Sequence, residues 1–284
     1  MKISTYTLPG DIAVTVRKAD THPAPAIILC HGFCGIQDIL LPDFAEAFTA
    51  AGFTAITFDY RGFGASGGER GRLVPEMQIE DILTVINWAS SLPETDNRVA
   101  LWGTSFGGCH VLGAAARHPS IKCVVSQLAF ADGETIVSGT LSAEEKAAFI
   151  TTLEKMADKK ATTGKEMFVA ITRVLNDDES KAFFESNKAD FPAMDIKIPF
   201  LTVRETLRYK PAVHARQVSC PVLVMVAGAD KVNPPEQGIA LFEAVAAKEK
   251  KLHIEPDAKH YDMYSGPHFN NIIGQQIEWF KRWI

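Results

Sequence analysis

Short strand-like runs of apolar residues alternate along the chain with longer segments in which apolar residues recur at helical spacing. The runs at 26–30, 54–58 and 98–102 contain few polar residues, as expected for strands buried on both faces of a parallel sheet. Residues 75–92 are the clearest amphipathic segment, because their apolar side chains form one broad helical face. This alternation predicts an α/β fold in which helices cover both faces of a mostly parallel sheet.

Eight strands are expected in all, the first two joined in a hairpin and the sixth ending near residue 126. The alternation then stops, because residues 134–200 hold charged, helix-forming sequence without a strand-like run. Buried-strand runs resume after residue 221. We therefore predict a core of residues 1–133 and 201–284, with a small helical cap, or lid, of residues 134–200 inserted after the sixth strand.

Composition and charge narrow the function classes. The chain has 284 residues and a formal net charge of −5, and no basic block gives a reason to expect nucleic acid or an anionic membrane as a partner. No apolar run reaches the roughly 18 residues of a membrane span, and the first residues lack the apolar core of a secretory signal. The five cysteines are scattered without the paired spacing of a disulfide framework or a structural zinc site. These features favour a cytoplasmic protein.

A serine between two glycines is the strongest candidate for chemistry. The segment Gly103-Thr104-Ser105-Phe106-Gly107 fits the pattern G-x-S-x-G and lies between the predicted fifth strand and a predicted helix. In such a turn the serine backbone is strained so that Oγ projects above the sheet. Side chains at the two glycine positions would collide there, and the start of the following helix favours negative charge. We predict that Ser105 is a nucleophile, with Gly103 and Gly107 as supporting residues.

The loop HGFCG at residues 31–35 directly follows a predicted strand and is a candidate oxyanion hole. Acyl transfer needs two backbone N–H groups that converge on the carbonyl oxygen of a tetrahedral intermediate. We expect one from Phe106, the residue after the nucleophile. The other would come from Phe33, with Cys34 as the next choice, and Gly32 would let the backbone approach closely.

Three other side chains near these motifs have alternative roles. His31 is expected to brace the oxyanion loop through hydrogen bonds, and a catalytic base is the alternative. Cys34 and Cys109 are alternative nucleophiles, but neither lies on a turn of the nucleophile type.

Asp230 and His260 complete the candidate site. Asp230 comes just after the buried run at 222–227, and His260 follows the next strand-like run. Because ligands bind outside the carboxyl ends of parallel strands, both should face the same crevice as Ser105. The carboxylate would accept Nδ1–H and orient the imidazole, which would act as general base. The weaker rivals are His253 and His268 as the base, and Asp257 and Asp262 as the acid.

With these parts in place, the sequence resembles the α/β-hydrolase superfamily over nearly its whole length. The resemblance is carried by ILCHGF at 28–33, FDYRGFGASGG at 58–68, LWGTSFGG at 101–108, VMVAGAD at 224–230 and AKHY at 258–261. Within the superfamily, it is most similar to the dienelactone-hydrolase and acylaminopeptidase-like esterase branch. The resemblance implies a helical lid after strand six, and acyl transfer to water without a metal or an organic cofactor.

The predicted function is hydrolysis of small to medium acyl or aryl esters through an acyl-enzyme, with a small-molecule ester as the partner. The same residues also support cleavage of thioesters or of carbon–carbon bonds in β-diketones or ring-cleavage products, because fold and catalytic residues do not fix the substrate. A non-catalytic receptor on the same scaffold is a third hypothesis. The sequence leaves a homodimer open.

Overall fold

A computed structural model describes residues 2–21 and 23–284, so that Met1 and His22 lie outside the description. The strands are β1 (Lys2–Leu8), β2 (Ile12–Lys18), β3 (Ala24–Cys30), β4 (Thr54–Phe58), β5 (Thr95–Thr104), β6 (Val124–Gln127), β7 (Phe168–Ala170), β8 (Lys197–Pro199), β9 (Val222–Ala227) and β10 (Lys250–Glu255). The helices are α1 (Leu41–Ala50), α2 (Pro75–Ala89), α3 (Phe106–Arg117), α4 (Gly133–Ser138), α5 (Ala143–Thr163), α6 (Asp178–Asn187), α7 (Thr202–Arg208), α8 (Pro211–Ala215), α9 (Pro235–Ala244) and α10 (Gly266–Trp283).

One sheet of eight strands forms the centre of the molecule, in the order β1-β2-β4-β3-β5-β6-β9-β10. The pairings of β1 with β2 and of β2 with β4 are antiparallel, and the other five are parallel. Every residue of β4, β6 and β9 is buried, because each of these strands lies inside the sheet with helices on both faces. The predicted eight-stranded α/β-hydrolase fold is confirmed.

Two apolar cores lie on opposite faces of the sheet. On one face, the ring of Phe44 in α1 lies 4.5 Å from that of Trp102 in β5, and Phe280 of α10 joins the same cluster. On the other face, Ile79 of α2 and Val111 of α3 pack in a second cluster. These helices hold the strands rigidly, so that the loops at the strand ends have fixed positions.

The segment between β6 and β9 departs from the prediction of a purely helical insertion. It contains a short antiparallel ribbon, in which β7 pairs with β8. Each of these strands has only three residues, and most positions of β7 are exposed, so neither gives an apolar run that the sequence pattern could reveal. Val203 and Leu207 of α7 also pack on Leu153 of α5, so contacts of the insertion continue past residue 200. The boundaries of the cap stay a prediction.

A bidentate ion pair ties the insertion to the body of the protein. Arg72, in the loop before α2, donates to both carboxylate oxygens of Glu166, at 2.9 and 2.5 Å. The Glu166 side chain is only 4% exposed, and Lys160 of α5 binds it at 3.0 Å. Because this carboxylate is buried and doubly paired, it holds the insertion over the sheet more firmly than an exposed pair would.

Candidate functional site

Ser105 lies at the sharp turn between β5 and α3. Its backbone is at φ 54° and ψ −120°, a conformation that costs a non-glycine residue about 1–3 kcal/mol. The Ser105 N–H donates to the carbonyl of Gln127 at 2.8 Å, which fixes the turn to the neighbouring strand. The strain lifts the hydroxyl out of the sheet and into a cavity at the carboxyl ends of the strands.

The glycines on either side of this turn are required by close backbone approach. A Cβ on Gly103 would lie 2.2 Å from the Gly107 carbonyl oxygen. A Cβ on Gly107 would lie 2.2 Å from the carbonyl oxygen of Cys30, in the neighbouring strand. Neither contact can be relieved by rotating a side chain, because the opposing atoms belong to the backbone.

We expect Gly107→Ala to lower the free energy of unfolding by about 1–3 kcal/mol, because the added methyl group overpacks the junction of β3 and α3. Urea titration of the purified variant measures this. Gly274→Ala is the matched control, since a Cβ at Gly274 in the middle of α10 would meet nothing within 4 Å. That substitution should stabilise the protein by about 0.5–1 kcal/mol. Equal stability of the two variants would contradict the steric account.

His260 and Asp230 form a buried hydrogen-bonded pair. His260 Nδ1 lies 2.7 Å from Asp230 Oδ2, and both side chains are less than 5% exposed. The other carboxylate oxygen, Oδ1, accepts the backbone N–H groups of Val232 at 2.8 Å and Asn233 at 2.9 Å. These bonds satisfy the carboxylate and direct Oδ2 at the imidazole. With Nδ1 as the donor, neutral His260 presents Nε2 as an acceptor to the cavity.

Ser105 and His260 line the same cavity. In the described part of the chain, these two side chains make no hydrogen bond to each other. Instead, Ser105 Oγ accepts a hydrogen bond from Asn233 Nδ2 at 3.3 Å. Catalytic hydrogen bonds are often long or poorly aligned before substrate binds, and rotation about one single bond re-aims a serine hydroxyl. Asn233 could not be recognised as a site residue from the sequence, because a lone asparagine in a loop belongs to no motif.

The loop that follows β3 lies directly against the serine. A Cβ on Gly32 would be 3.1 Å from the Ser105 Cβ, so a larger residue there would crowd the serine. Neither the Phe33 N–H nor the Phe106 N–H donates a hydrogen bond to any group in the described part of the chain. The two rings meet edge to face, with centroids 5.4 Å apart. The amides of Phe33, in the loop that lies against Ser105, and of Phe106, the next residue along the chain, are therefore available to hold an oxyanion.

His31 ties the ends of this loop together. The Gly32 N–H donates to Nδ1 at 2.7 Å, and Nε2 donates to the Ile39 carbonyl at 3.0 Å. Burial lowers the pKa of His31 to about 4, so the ring is neutral at pH 7. Since both ring nitrogens are engaged, His31 has no free nitrogen with which to act as a base.

The rival cysteines are buried thiols. Burial raises the pKa of Cys34 and Cys109 above the ordinary value, which keeps both protonated and weakly nucleophilic. Cys109 also donates to the Phe130 carbonyl.

The rival histidines bind another carboxylate, and neither rival aspartate binds His260 among the described residues. His253 and His268 both bind Glu255, at 3.0 and 2.9 Å. Asp262 accepts the Lys259 N–H at 3.0 Å and so stabilises the loop before His260. Asp257 makes no hydrogen bond to His260 among the described residues.

The cavity above Ser105 has a volume of about 70 Å³ and an apolar wall. The insertion contributes Ile171, Thr172, Leu175, Ser180, Phe183, Phe184 and Met194 to it. Tyr261, next to His260, stacks on Phe183 with ring centroids 4.4 Å apart, and its hydroxyl donates to Ser180 at 3.2 Å. Of the lining residues within the described chain, none is Asp, Glu, Lys or Arg.

Two arginines of the glycine-rich segment after β4 bind other groups of the protein. Arg61 donates to the buried carboxylate of Asp81, and Arg70 donates to the Gly64 carbonyl, so both anchor the protein itself. Within residues 2–21 and 23–284, no cluster of three or more His, Cys, Asp or Glu side chains could hold a metal ion. Over the same residues, no helix is both long and apolar enough to span a membrane.

Comparison with known families agrees with this architecture. The model of a family described as the alpha/beta hydrolase fold matches residues 25–267. A 31.7 kDa protein of the traX-finO intergenic region of Escherichia coli is 60% identical, with 99% of both chains covered. The quorum-quenching protein AidA of Acinetobacter baumannii is 30% identical, over 95% of this chain and 90% of the relative.

Among solved structures, that of DcsB in complex with its substrate analogue superposes with a TM-score of 0.86. Its sequence is 23% identical, and the match covers 100% of this chain and 99% of DcsB. At this level of identity the likeness concerns the fold alone.

Proposed function

The chain belongs to the α/β-hydrolase family, and from this premise we propose that it hydrolyses carboxylic esters through an acyl-enzyme on Ser105. One observation carries the proposal. The buried His260–Asp230 pair, at 2.7 Å, opens on the same cavity as a serine held in a strained turn. A carboxylate, an imidazole and an exposed hydroxyl in this order are what nucleophilic acyl transfer requires.

In the acylation step, His260 Nε2 takes the proton of Ser105 Oγ as this oxygen bonds to the carbonyl carbon. Asp230 stabilises the imidazolium through the Nδ1 hydrogen bond. The carbonyl oxygen becomes an oxyanion, which the amides of Phe33 and Phe106 hold. When the tetrahedral intermediate collapses, the bond to the alcohol oxygen breaks and His260 gives its proton to the leaving alcohol.

In the deacylation step, water takes the place of the alcohol. His260 accepts a proton from the water as its oxygen bonds to the acyl carbon. Collapse then breaks the bond to Ser105 Oγ, which recovers a proton from His260, and the carboxylic acid leaves. The cycle needs no oxidant, reductant or further reactant.

The cavity favours a small and uncharged acyl group. Moving a substrate carboxylate from water into an apolar cavity without a cation costs on the order of several kcal/mol. This cost is large enough to prevent a charged acyl group from binding there. Ring-cleavage products that carry a carboxylate are therefore poor candidates, whereas uncharged β-diketones and thioesters remain rivals.

A matched pair of substrates tests this selectivity. We expect kcat/KM for p-nitrophenyl butyrate to exceed that for mono-p-nitrophenyl succinate by at least about 100-fold, because the two differ chiefly in a terminal carboxylate. An uncharged β-diketone and a butyryl thioester complete the panel. Equal rates for the two esters would contradict the proposed acyl selectivity. Faster cleavage of the diketone than of the esters would reassign the protein as a carbon–carbon bond hydrolase. Binding of these compounds without turnover would favour a receptor.

A further inference from the structure

We propose that Asn233 is a further catalytic residue, whose side-chain amide stabilises the negative charge that develops on Ser105 Oγ. This inference rests on the proposed function of Ser105. It concerns the nucleophilic oxygen itself, which the oxyanion hole does not touch, because the amides of that hole are directed at the substrate's carbonyl oxygen.

The Asn233 amide is held in place by a second hydrogen bond. Nδ2 donates one N–H to the Leu128 carbonyl at 2.7 Å and the other to Ser105 Oγ at 3.3 Å. Asn233 is only 6% exposed, so water competes little for either bond. Leu128 follows β6 with a positive φ of 54°, an uncommon conformation for leucine. In this conformation its carbonyl accepts the amide of Asn233 rather than continuing the sheet.

The backbone and the side chain of Asn233 contact different catalytic groups. The backbone N–H donates to Asp230 Oδ1, whereas the side chain donates to the serine. A substitution therefore removes the contact to Ser105 while the backbone contact to Asp230 remains. This separation allows the two roles of the residue to be tested independently.

A donor at this position stabilises the transition state more than the resting state. In the resting enzyme the acceptor is a neutral hydroxyl, and the bond of 3.3 Å is long. As His260 removes the proton, Oγ gains negative charge, and hydrogen bonds to charged acceptors are shorter and about twice as strong. Only such a differential interaction accelerates a chemical step. The same holds in deacylation, where Oγ is the leaving atom, so both half-reactions should depend on Asn233.

The test uses Asn233→Leu, whose side chain has a similar volume but no hydrogen-bond donor. Asn233→Ala is the second variant, because its smaller side chain avoids any steric clash that leucine causes. Asn271→Leu is the control, since it removes an amide that donates to Glu255 instead. Stopped-flow hydrolysis of p-nitrophenyl butyrate gives the acylation and deacylation rates over a range of pH, and urea titration gives stability. We expect both rates to fall about tenfold in the Asn233 variants. The pH midpoint of the acid limb should stay unchanged, and the control should remain within about twofold of the parent.

Three results would overturn the proposal. Unchanged rates would show that the bond to Oγ has no catalytic effect, and faster rates would show that it restrains the resting serine. A rate loss accompanied by a shifted acid limb would show that Asn233 only positions Asp230. Failure of the proposed function is distinguishable, because the parent protein would then lack the burst of p-nitrophenol, or Ser105→Ala would retain it, whatever the Asn233 variants do.

Discussion

Ser105→Ala is expected to lower kcat for p-nitrophenyl butyrate by about 10⁵- to 10⁶-fold, because no acyl-enzyme can form without Oγ. The fold should persist, since the substitution removes one oxygen and leaves the strained backbone at φ 54° as it is. The residual rate would come from the oxyanion amides and the cavity acting on water. Initial-rate measurement of the purified variant, with urea titration to verify its stability, provides the test.

Ser180→Ala is the matched control for this substitution. Ser180 is a buried serine that lines the same cavity and accepts a hydrogen bond from Tyr261. Its loss should change kcat by less than about tenfold, since one neutral hydrogen bond contributes only about 0.5–1.5 kcal/mol. Comparable losses in the two variants would mean that Ser105 acts by shaping the cavity and not as the nucleophile.

Asp230→Asn is expected to lower kcat by about 10⁴-fold while the loop keeps its geometry. The new amide oxygen can still accept the N–H groups of Val232 and Asn233, but the amide nitrogen would donate to His260 Nδ1. The imidazole would then carry its proton on Nε2 and could no longer accept one from Ser105. The effect is therefore a change of tautomer, which pH–rate profiles of the variant and the parent should register as a loss across the neutral range.

Asp262→Asn serves as the comparison for Asp230, because Asp262 is a second carboxylate in the loop of His260. It accepts the Lys259 N–H and makes no bond to the imidazole among the described residues. Its substitution should leave kcat within about tenfold of the parent. A larger loss in Asp262→Asn than in Asp230→Asn would reassign the orienting carboxylate.

Much of this arrangement could be predicted from the sequence, because strand ends fix positions in a parallel sheet. Ser105 and Asp230 each follow a buried apolar run, and His260 follows the strand-like run of β10. Parallel strands end at one edge of the sheet, where ligands bind. The glycines of the serine turn were predictable from sterics, and the distances to the backbone at Gly103 and Gly107 give the same reason. The eight strands of the central sheet were predictable from their apolar runs and from the first hairpin, although β6 begins at Val124, three residues after the start of its apolar run at Ile121.

The insertion was predictable only in outline. The structure brings Phe183 and Phe184 of the insertion to the cavity, whereas Met167 and Phe168 face solvent. Composition cannot distinguish the two residues at the cavity from the two that face solvent. Which residues face the site depends on how α6 and the β7–β8 ribbon pack on the protein. The position of the Asn233 side chain was not predictable for the same reason. It is fixed by a hydrogen bond to the carbonyl of Leu128, which is 105 residues away along the chain.

The central claim, that Ser105 carries the acyl group, is tested most directly by locating the covalent adduct. The parent protein and Ser105→Ala would be treated with a fluorophosphonate, digested and analysed by peptide mass spectrometry. We predict a single phosphonyl adduct on Ser105 in the parent and none in the variant. An adduct on Cys34 or any other residue, or ester turnover by a parent protein that the probe neither labels nor inhibits, would contradict the assignment of Ser105 as the nucleophile.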